Sequence, residues 1–290
     1  SAALGDRTIW SLAGAVSGAG TTAVGVANAN NIILAKREAS ISNATLALSG
    51  ALVAESGGSA NIRSAAVGAG GAGTAAVGGS VAVNVVDGEE NASLSNVTVT
   101  SGSGVTVQVI RGDVEIKTLA GNVQGAGTAA VGAAVAVSTV DQQRSASIAN
   151  SSLTLSGGNT GIAVNALTQA SIQTLAISGA GGGTAGVALS NTSNNINAVT
   201  HAAVTDSTGT ASSLTISARD GSTIESLAGG VGLGGTAGVG VATAVNRIAN
   251  DIEAHLSGSK NSTAWALNDL KVSAVSDASI LTSSISGAAS

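Results

Sequence analysis

Apolar and polar residues alternate with a period of two in many short runs: Leu153-Thr154-Leu155, Ile162-Ala163-Val164 and Leu214-Thr215-Ile216. That period places side chains alternately on the two faces of a strand. Val, Ile and Thr are frequent, the helix-favouring Glu, Lys, Gln and Met are scarce or absent, and glycine recurs often enough to interrupt any helical segment. Turn chemistry such as Gly57-Gly58-Ser59 separates the runs. The pattern predicts an all-β chain.

The strands belong to a repeat. An Ile-x-Ser/Thr motif occurs at Ile9, Ile62, Ile116, Ile172, Ile224 and Ile280, at intervals of 53, 54, 56, 52 and 56 residues. Eleven residues after each of the first five comes a Gly-Thr pair, as at Gly73-Thr74 and Gly127-Thr128. Eleven further on lies the column Asn31, Asn84, Ser138, Asn194, Asn246. A second motif divides each unit, as in Ala39-Ser40-Ile41 followed by Ala60-Asn61-Ile62. One half of the unit has a constant 32 residues, and the other varies from 20 to 24. The constant half reads as register-locked strands and the variable half as the one that holds a surface loop.

Strands recurring at a fixed period with like residues in register predict stacked coils, a parallel β-solenoid in which each column becomes a ladder. Residues 1–290 read as one shaft, with five repeats starting near 7, 60, 114, 170 and 222 and a partial sixth from 278. The two halves suggest two coils per 52–56-residue repeat, hence ten coils and a rod about 50 Å long at about 4.8 Å per coil. The alternatives are one wide coil per repeat, or an antiparallel hairpin about the Gly-Thr turn. Both ends stop mid-pattern, so a longer natural chain is expected.

Composition narrows the packing. The 290 residues include 41 Gly, no Pro, Cys, Met, Tyr or Phe, and only Trp10 and Trp265 as aromatics. With so few large side chains the structure must be thin, its backbones close together. A hydrophobic share of 44% against 9% charged is the reverse of a disordered chain. The net charge of −5 argues against a nucleic-acid partner. Lack of Cys excludes a disulfide framework and Cys-ligated metal centres. The uncharged stretch Ser64–Val86 is long enough to span a bilayer, but its Gly, Ala, Ser, Thr and Asn content speaks against it.

Charge is unevenly placed. In the five arms that run from each Ile to its Asn or Ser column, only Arg63, Lys117 and Glu225 are charged. Either both faces of the arm are buried, or one is an exposed small-residue surface that sticks to something. Within this half, Val83 and Val135 are expected to pack inside. Charges gather just beyond the Asn column, at Lys36-Arg37-Glu38, at Asp87, Glu89 and Glu90, and at Asp141 and Arg144, with Gln142 between them. This reads as a solvated edge. Asp87, Glu89 and Glu90 could hold calcium, but the trio occurs once, and no metal or other cofactor is expected.

The Asn31, Asn84, Ser138, Asn194, Asn246 column reads as a structural amide ladder. The Ser/Thr column Ser11, Ser64, Thr118, Thr174, Ser226, Thr282 reads as hydroxyls bonding backbone at a bend. His201, Asp206 and Ser207 hold triad residue types without any accompanying signature, and the near absence of aromatic platforms counts against a carbohydrate-active enzyme. No enzymatic activity is expected.

The run Gly71–Asn84 and its repeat at Gly125–Ser138, with Asn91–Thr100 and Ser212–Ser226, resembles the filamentous-haemagglutinin-like and leukotoxin-type exoproteins of two-partner secretion. The resemblance covers essentially the whole chain. It implies a right-handed parallel β-helix and export through an outer-membrane β-barrel transporter to the bacterial surface or medium. The role it implies is adhesion or a place in surface filaments; the open coil ends and uncharged arms add the expectation of a projecting or self-associating shaft, with copies of itself or an unidentified receptor as partners. A toxin's delivery stalk and, more remotely, a carbohydrate-active β-helix protein are the other readings.

Overall fold

The computed structural model describes residues 5–156, 160–258 and 265–290, which form strands and turns with no helix. The first coil comprises β1 (Arg7–Ala19), β2 (Thr22–Ala47) and β3 (Ala51–Gly57), and the second β4 (Ala60–Ala72), β5 (Ala75–Ser101) and β6 (Gly104–Arg111). The third holds β7 (Val114–Ala126), β8 (Ala129–Ala149), the short β9 (Ser152–Thr154) and β10 (Gly161–Thr168). The fourth holds β11 (Ala170–Gly182), β12 (Ala185–Thr205), the short β13 (Thr208–Thr210) and β14 (Ser213–Asp220). The fifth has β15 (Thr223–Gly234), β16 (Ala237–Ser257) and β17 (Asp269–Ser276), and β18 (Ser279–Ala289) opens the sixth.

Corresponding strands stack into three parallel sheets. The first runs β1-β4-β7-β11-β15-β18 and the third β3-β6-β10-β14-β17. The second holds β2, β5, β8, β12 and β16 with the two short strands. Ile9 pairs with Ile62, Ile62 with Ile116, Ile116 with Ile172, and onward to Ile280, so neighbours are one whole repeat apart. This corrects the expectation of two coils per repeat: each repeat is one wide coil. The halves resemble each other because both set an Ala and an aliphatic residue into the core at a corner, Ala60 and Ile62 in one and Ala92 and Leu94 in the other. Five steps of about 4.8 Å make the stack about 24 Å tall, half the expected length. The 21-residue β8 alone extends about 70 Å at about 3.3 Å per residue, so this portion is a plank, wider than tall.

The Gly-Thr turn is not a hairpin either. All strand pairings among the described residues are parallel, and β4 and β5 meet through side chains across an arch. At the turn each glycine lies against the one below. A Cβ on Gly127 would strike the carbonyl oxygen of Gly73, and one on Gly183 that of Gly127. That contact explains the five Gly-Thr copies. A second turning point, unread in the sequence, lies in the second sheet. There Asn43, Asn96, Asn150 and Asp206, successive in their column, adopt φ of 52°, 55°, 48° and 45°. Asn and Asp tolerate this left-handed region better than other side chains.

In cross-section the coil has a thin arm and a broad end. In the arm, the first sheet lies on the first part of the second, with Ala, Gly, Ser, Thr and Asn between and Gln124 seated over Gly70 and Gly78: Ala27, Ala29, Ala66 and Ala82 form one cluster, Ala120, Ala134, Ala136 and Ala176 another. In the fourth and fifth coils the backbones touch, since a Cβ on Gly186 would strike the Leu233 carbonyl oxygen. An aliphatic layer follows, with Ile62, Ile116 and Ile172 facing Val86, Val140 and Ile196. The broad end encloses the largest apolar cluster, including Leu94, Val97, Val107, Ile148, Val164 and Leu214. Because the arm interior is filled almost entirely by small groups, with Gln124 accommodated only where Gly70 and Gly78 lie beside it, its valines turn outward. Val83 and Val135, expected inside, lie on the outer face and are half-buried, whereas their neighbours Ala82 and Ala134 are fully buried.

Candidate functional site

The Asn column lines the inner face of the second sheet, opposite the Ser/Thr column of the first, and the two are zipped together. Asn31 Nδ2 donates to Ser11 Oγ and to Asn84 Oδ1, both at 2.8 Å. Asn84 Nδ2 donates to Thr118 Oγ1 at 2.6 Å, and Thr118 bonds Ser138 at 2.8 Å. Asn194 Nδ2 donates to Thr174 at 2.8 Å and to Asn246 Oδ1 at 2.7 Å, and Asn246 donates to Thr282. The hydroxyls of Ser11, Thr118, Thr174 and Thr282 therefore bond amides across the arch or in the next coil, and Ser226 bonds Thr192 at 2.6 Å, in place of the backbone bonding at a bend expected from the sequence. Asn84 and Ser138 are fully buried, so each bond also satisfies a group that water cannot reach. The zip holds the two sheets at a fixed separation and offers nothing to a ligand.

The charges beyond the Asn column divide by strand alternation. Lys36, Asp87 and Glu89 point outward, with Lys36 Nζ 2.9 Å from Glu89. Arg37, Glu90 and Arg144 point inward, which corrects the reading of this segment as a solvated edge. They stack coil on coil, with Arg37 Nη1 2.6 Å from one Glu90 oxygen and Arg144 Nε 3.1 Å from the other. Arg144 also donates to the backbone carbonyls of Leu167 and Gly112, closing the corner where the third sheet returns to the first. Burial raises the Glu90 carboxyl above its ordinary value, against the pull of Arg144 and Arg37. Burial likewise lowers the Arg144 guanidinium. Further along the same corner Thr168 bonds Thr200 at 2.7 Å, and Asp220 accepts from Ser222 at 2.6 Å and from Asn250. A polar seam thus runs up the axis between the Ile layer and the broad core.

Asp87, Glu89 and Glu90 do not converge. The first two share the outer face while Glu90 faces inward onto two arginines, and among the described residues no group of acidic and histidine side chains has the arrangement of a metal site. Gln142, placed at the charged edge by sequence, is buried, its amide occupying the space above Gly88. The triad types are likewise apart in role. Ser207 Oγ donates to Thr205 O and accepts from the Ser151 amide, Asp206 forms the bend, and His201 lies on the outer face, 3.5 Å from Asp251. On that same face His255 contacts Glu253 at 2.9 Å.

The feature that sequence patterning leaves open is the outer surface of the arm. On the first sheet it carries Leu12, Val67, Leu119, Val123, Ile177 and Val231, all exposed. A shallow groove of about 980 Å³ follows this sheet along the axis, walled on one side by the leucine column and on the other by Trp10, Arg63, Lys117, Gln173 and Glu225. The Arg63 guanidinium lies 4.9 Å above the Trp10 ring, and Glu115 reaches Lys117 at 2.6 Å and Arg63 at 3.5 Å. The interactions with Lys117 and Arg63 hold the Glu115 carboxyl below its ordinary value. The arm therefore has one buried and one exposed face, which rules out burial of both, and the exposed face carries large aliphatic side chains besides the small residues expected there.

No protein family, no curated protein and no solved structure matches the chain.

Proposed function

We propose that the chain is a structural shaft of a secreted bacterial filamentous adhesin or extracellular filament. The observation that carries this reading is the continuity of the ladders. The Gly-Thr arch, the Asn column and the Ile layer pass from coil to coil in unbroken register, while the individual Asn–Ser/Thr bonds run within a coil at some levels and to the next coil at others. Such a body lengthens by adding coils without altering any interface, as a projecting element requires. The buried polar groups serve packing within and between coils. A right-handed coil belongs to the proposal, because parallel strands joined by crossovers overwhelmingly take that hand. So does export through an outer-membrane β-barrel transporter, for which a chain without cysteine is suited.

Antibodies raised against the 290-residue chain, used in immunogold electron microscopy of producing cells, test the reading. Label is expected along extended structures outside the outer membrane. Label confined to the cytoplasm or periplasm would overturn it.

A further inference from the structure

We propose that the outer face of the first sheet is a self-complementary surface on which a second copy of this chain docks, face to face, with the two solenoid axes antiparallel. This deepens the shaft reading and rests on it for its purpose, namely bundling of shafts, while its chemistry comes from the face alone.

The face is a relief of bumps and holes. One outward column runs Gly14, Val67, Gly121, Ile177, Gly229, Ile285 through successive coils, small and large in strict alternation. The next runs Val16, Ala69, Val123, Gly179, Val231, Gly287, alternating in the opposite phase. The interior coils leave Val67 42%, Val123 65%, Ile177 45% and Val231 46% exposed.

The fold does not require these glycines. In the arm interior a Cβ would strike backbone or a buried side chain, but on this face it meets open space or neighbours at ordinary van der Waals distance. Gly14 has nothing within 4 Å, Gly121 meets Val67 Cγ1 at 3.9 Å, and Gly229 meets Ile177 Cγ1 at 3.8 Å. Glycine weakens a strand and commonly marks a close approach by another surface. Five glycines without an internal reason, each beside an exposed Val or Ile, are accounted for by an opposing surface with the inverse relief.

A second copy supplies that relief. A two-fold axis along the strand direction, passing between the third and fourth coils, lays each column on itself in reverse order. In these two columns Gly121 then meets Ile177, Val67 meets Gly229, Val123 meets Gly179 and Ala69 meets Val231, a large residue on a small one, while in the leucine column Leu119 meets Leu175 as an apolar contact of like with like. The same operation sets Arg63 opposite Glu225 and Lys117 opposite Gln173. An axis along the solenoid would also mesh the relief but would put no opposite charges together, so the charges select the antiparallel arrangement. The available area suffices. Five coil spacings of about 4.8 Å by 13 residues of about 3.3 Å give about 1,000 Å² per copy. The resulting total of about 2,000 Å² exceeds the roughly 1,600 Å² of a standard stable interface.

Sedimentation velocity of the 290-residue chain over a wide concentration range tests the pairing. A dimer is expected, weakened about tenfold or more by Gly121→Ile, which fills a hole in the interface but in the single chain only adds an aliphatic side chain beside Val67 on the open face. Arg63→Glu should weaken it, and adding Glu225→Arg to that chain should restore it. Because the chain has no cysteine, Val67→Cys in one preparation and Gly229→Cys in another should be joined by a short bismaleimide on mixing, and neither efficiently with itself, since like positions are offset by three coil spacings, about 14 Å. A monomer at every concentration overturns the proposal, as does a dimer indifferent to Gly121→Ile and to both charge changes. Capture of a different molecule by the monomeric face would overturn it too. The shaft reading stands or falls separately, on where the antibody label lies.

Discussion

Adjacent residues of β8 provide the sharpest test of the thin arm. Ala134 is fully buried between the two sheets, while Val135 beside it faces outward and is half-buried. We expect Ala134→Asp to be far more damaging than Val135→Asp, although only the second replaces a large apolar side chain. At position 134 the carboxylate enters a layer of alanines, Ala120, Ala136 and Ala176, with Ser80 and Ser190 beside it on the neighbouring strands. Desolvating that charge costs several kcal/mol, and the room available is that of a methyl group. Two residues away, a Cβ on Gly132 would already lie 2.9 Å from Ser178 Oγ and 3.0 Å from the Gly179 carbonyl oxygen. The sum is at least about 5 kcal/mol, comparable to the whole stability of many domains. Removing half-exposed Val135 forfeits about 1 kcal/mol of burial, and the new charge stays in water. In urea melts followed by far-ultraviolet circular dichroism, an m-value of about 3 kcal/mol/M would place the two midpoints more than about 1 M apart. Equal midpoints, or Val135→Asp the worse, would refute the inward and outward assignment and with it the thin arm.

The remaining expectations concern the turn and the polar seam. Gly127→Ala should lower the melting temperature sharply, because its methyl meets the Gly73 carbonyl oxygen, whereas Gly125→Ala, with nothing within 4 Å, should leave it unchanged or raise it slightly. Arg144→Leu should cost about 3–5 kcal/mol in chemical denaturation, since it leaves Glu90 buried with Arg37 alone and two backbone carbonyls without their donor. Glu90 has a native-state value raised above its unfolded one, so the native state binds its proton more tightly. Stability should therefore decline as pH climbs from the ordinary carboxylate range through that raised value, and the slope should be missing in Glu90→Gln. A wild-type slope of the opposite sign across that window would contradict the assignment.

Periodicity made much of the fold legible. The Ile, Gly-Thr and Asn columns are ladders in the structure, at the intervals read from the sequence. The number of coils per repeat was not legible, because the corners of one wide coil and the ends of two small ones use the same turn residues and the same Ala-x-Ile burial. Nor was the direction of the arm's side chains. Alternating Ala and Val normally puts Val inside, and only the backbone proximity seen at Gly186 explains why the smaller residue takes the interior. Arg37, Glu90 and Arg144 were hidden by their company, since Lys36 and Glu89 next to them are exposed. The bend at Asn43, Asn96, Asn150 and Asp206 was within reach, because an Asn or Asp at a constant position of the repeat is the signal for a left-handed residue.

The width of the coil governs how the chain would answer a mechanical pull. Tension along the solenoid axis runs parallel to the hydrogen bonds between strands, a direction in which a narrow stack would peel open bond by bond. Here β5 and β8 meet over some twenty residues, with β4 against β7 and β6 against β10 alongside. The force at each junction is divided over all three sheets at once. The Asn84–Thr118 bond and the Glu90–Arg144 contact add side-chain rungs between the same two coils. A break must therefore open nearly the entire width before it advances, so rupture is expected as discrete events, each releasing one repeat. At about 3.5 Å per extended residue, that is roughly 190 Å of chain per event.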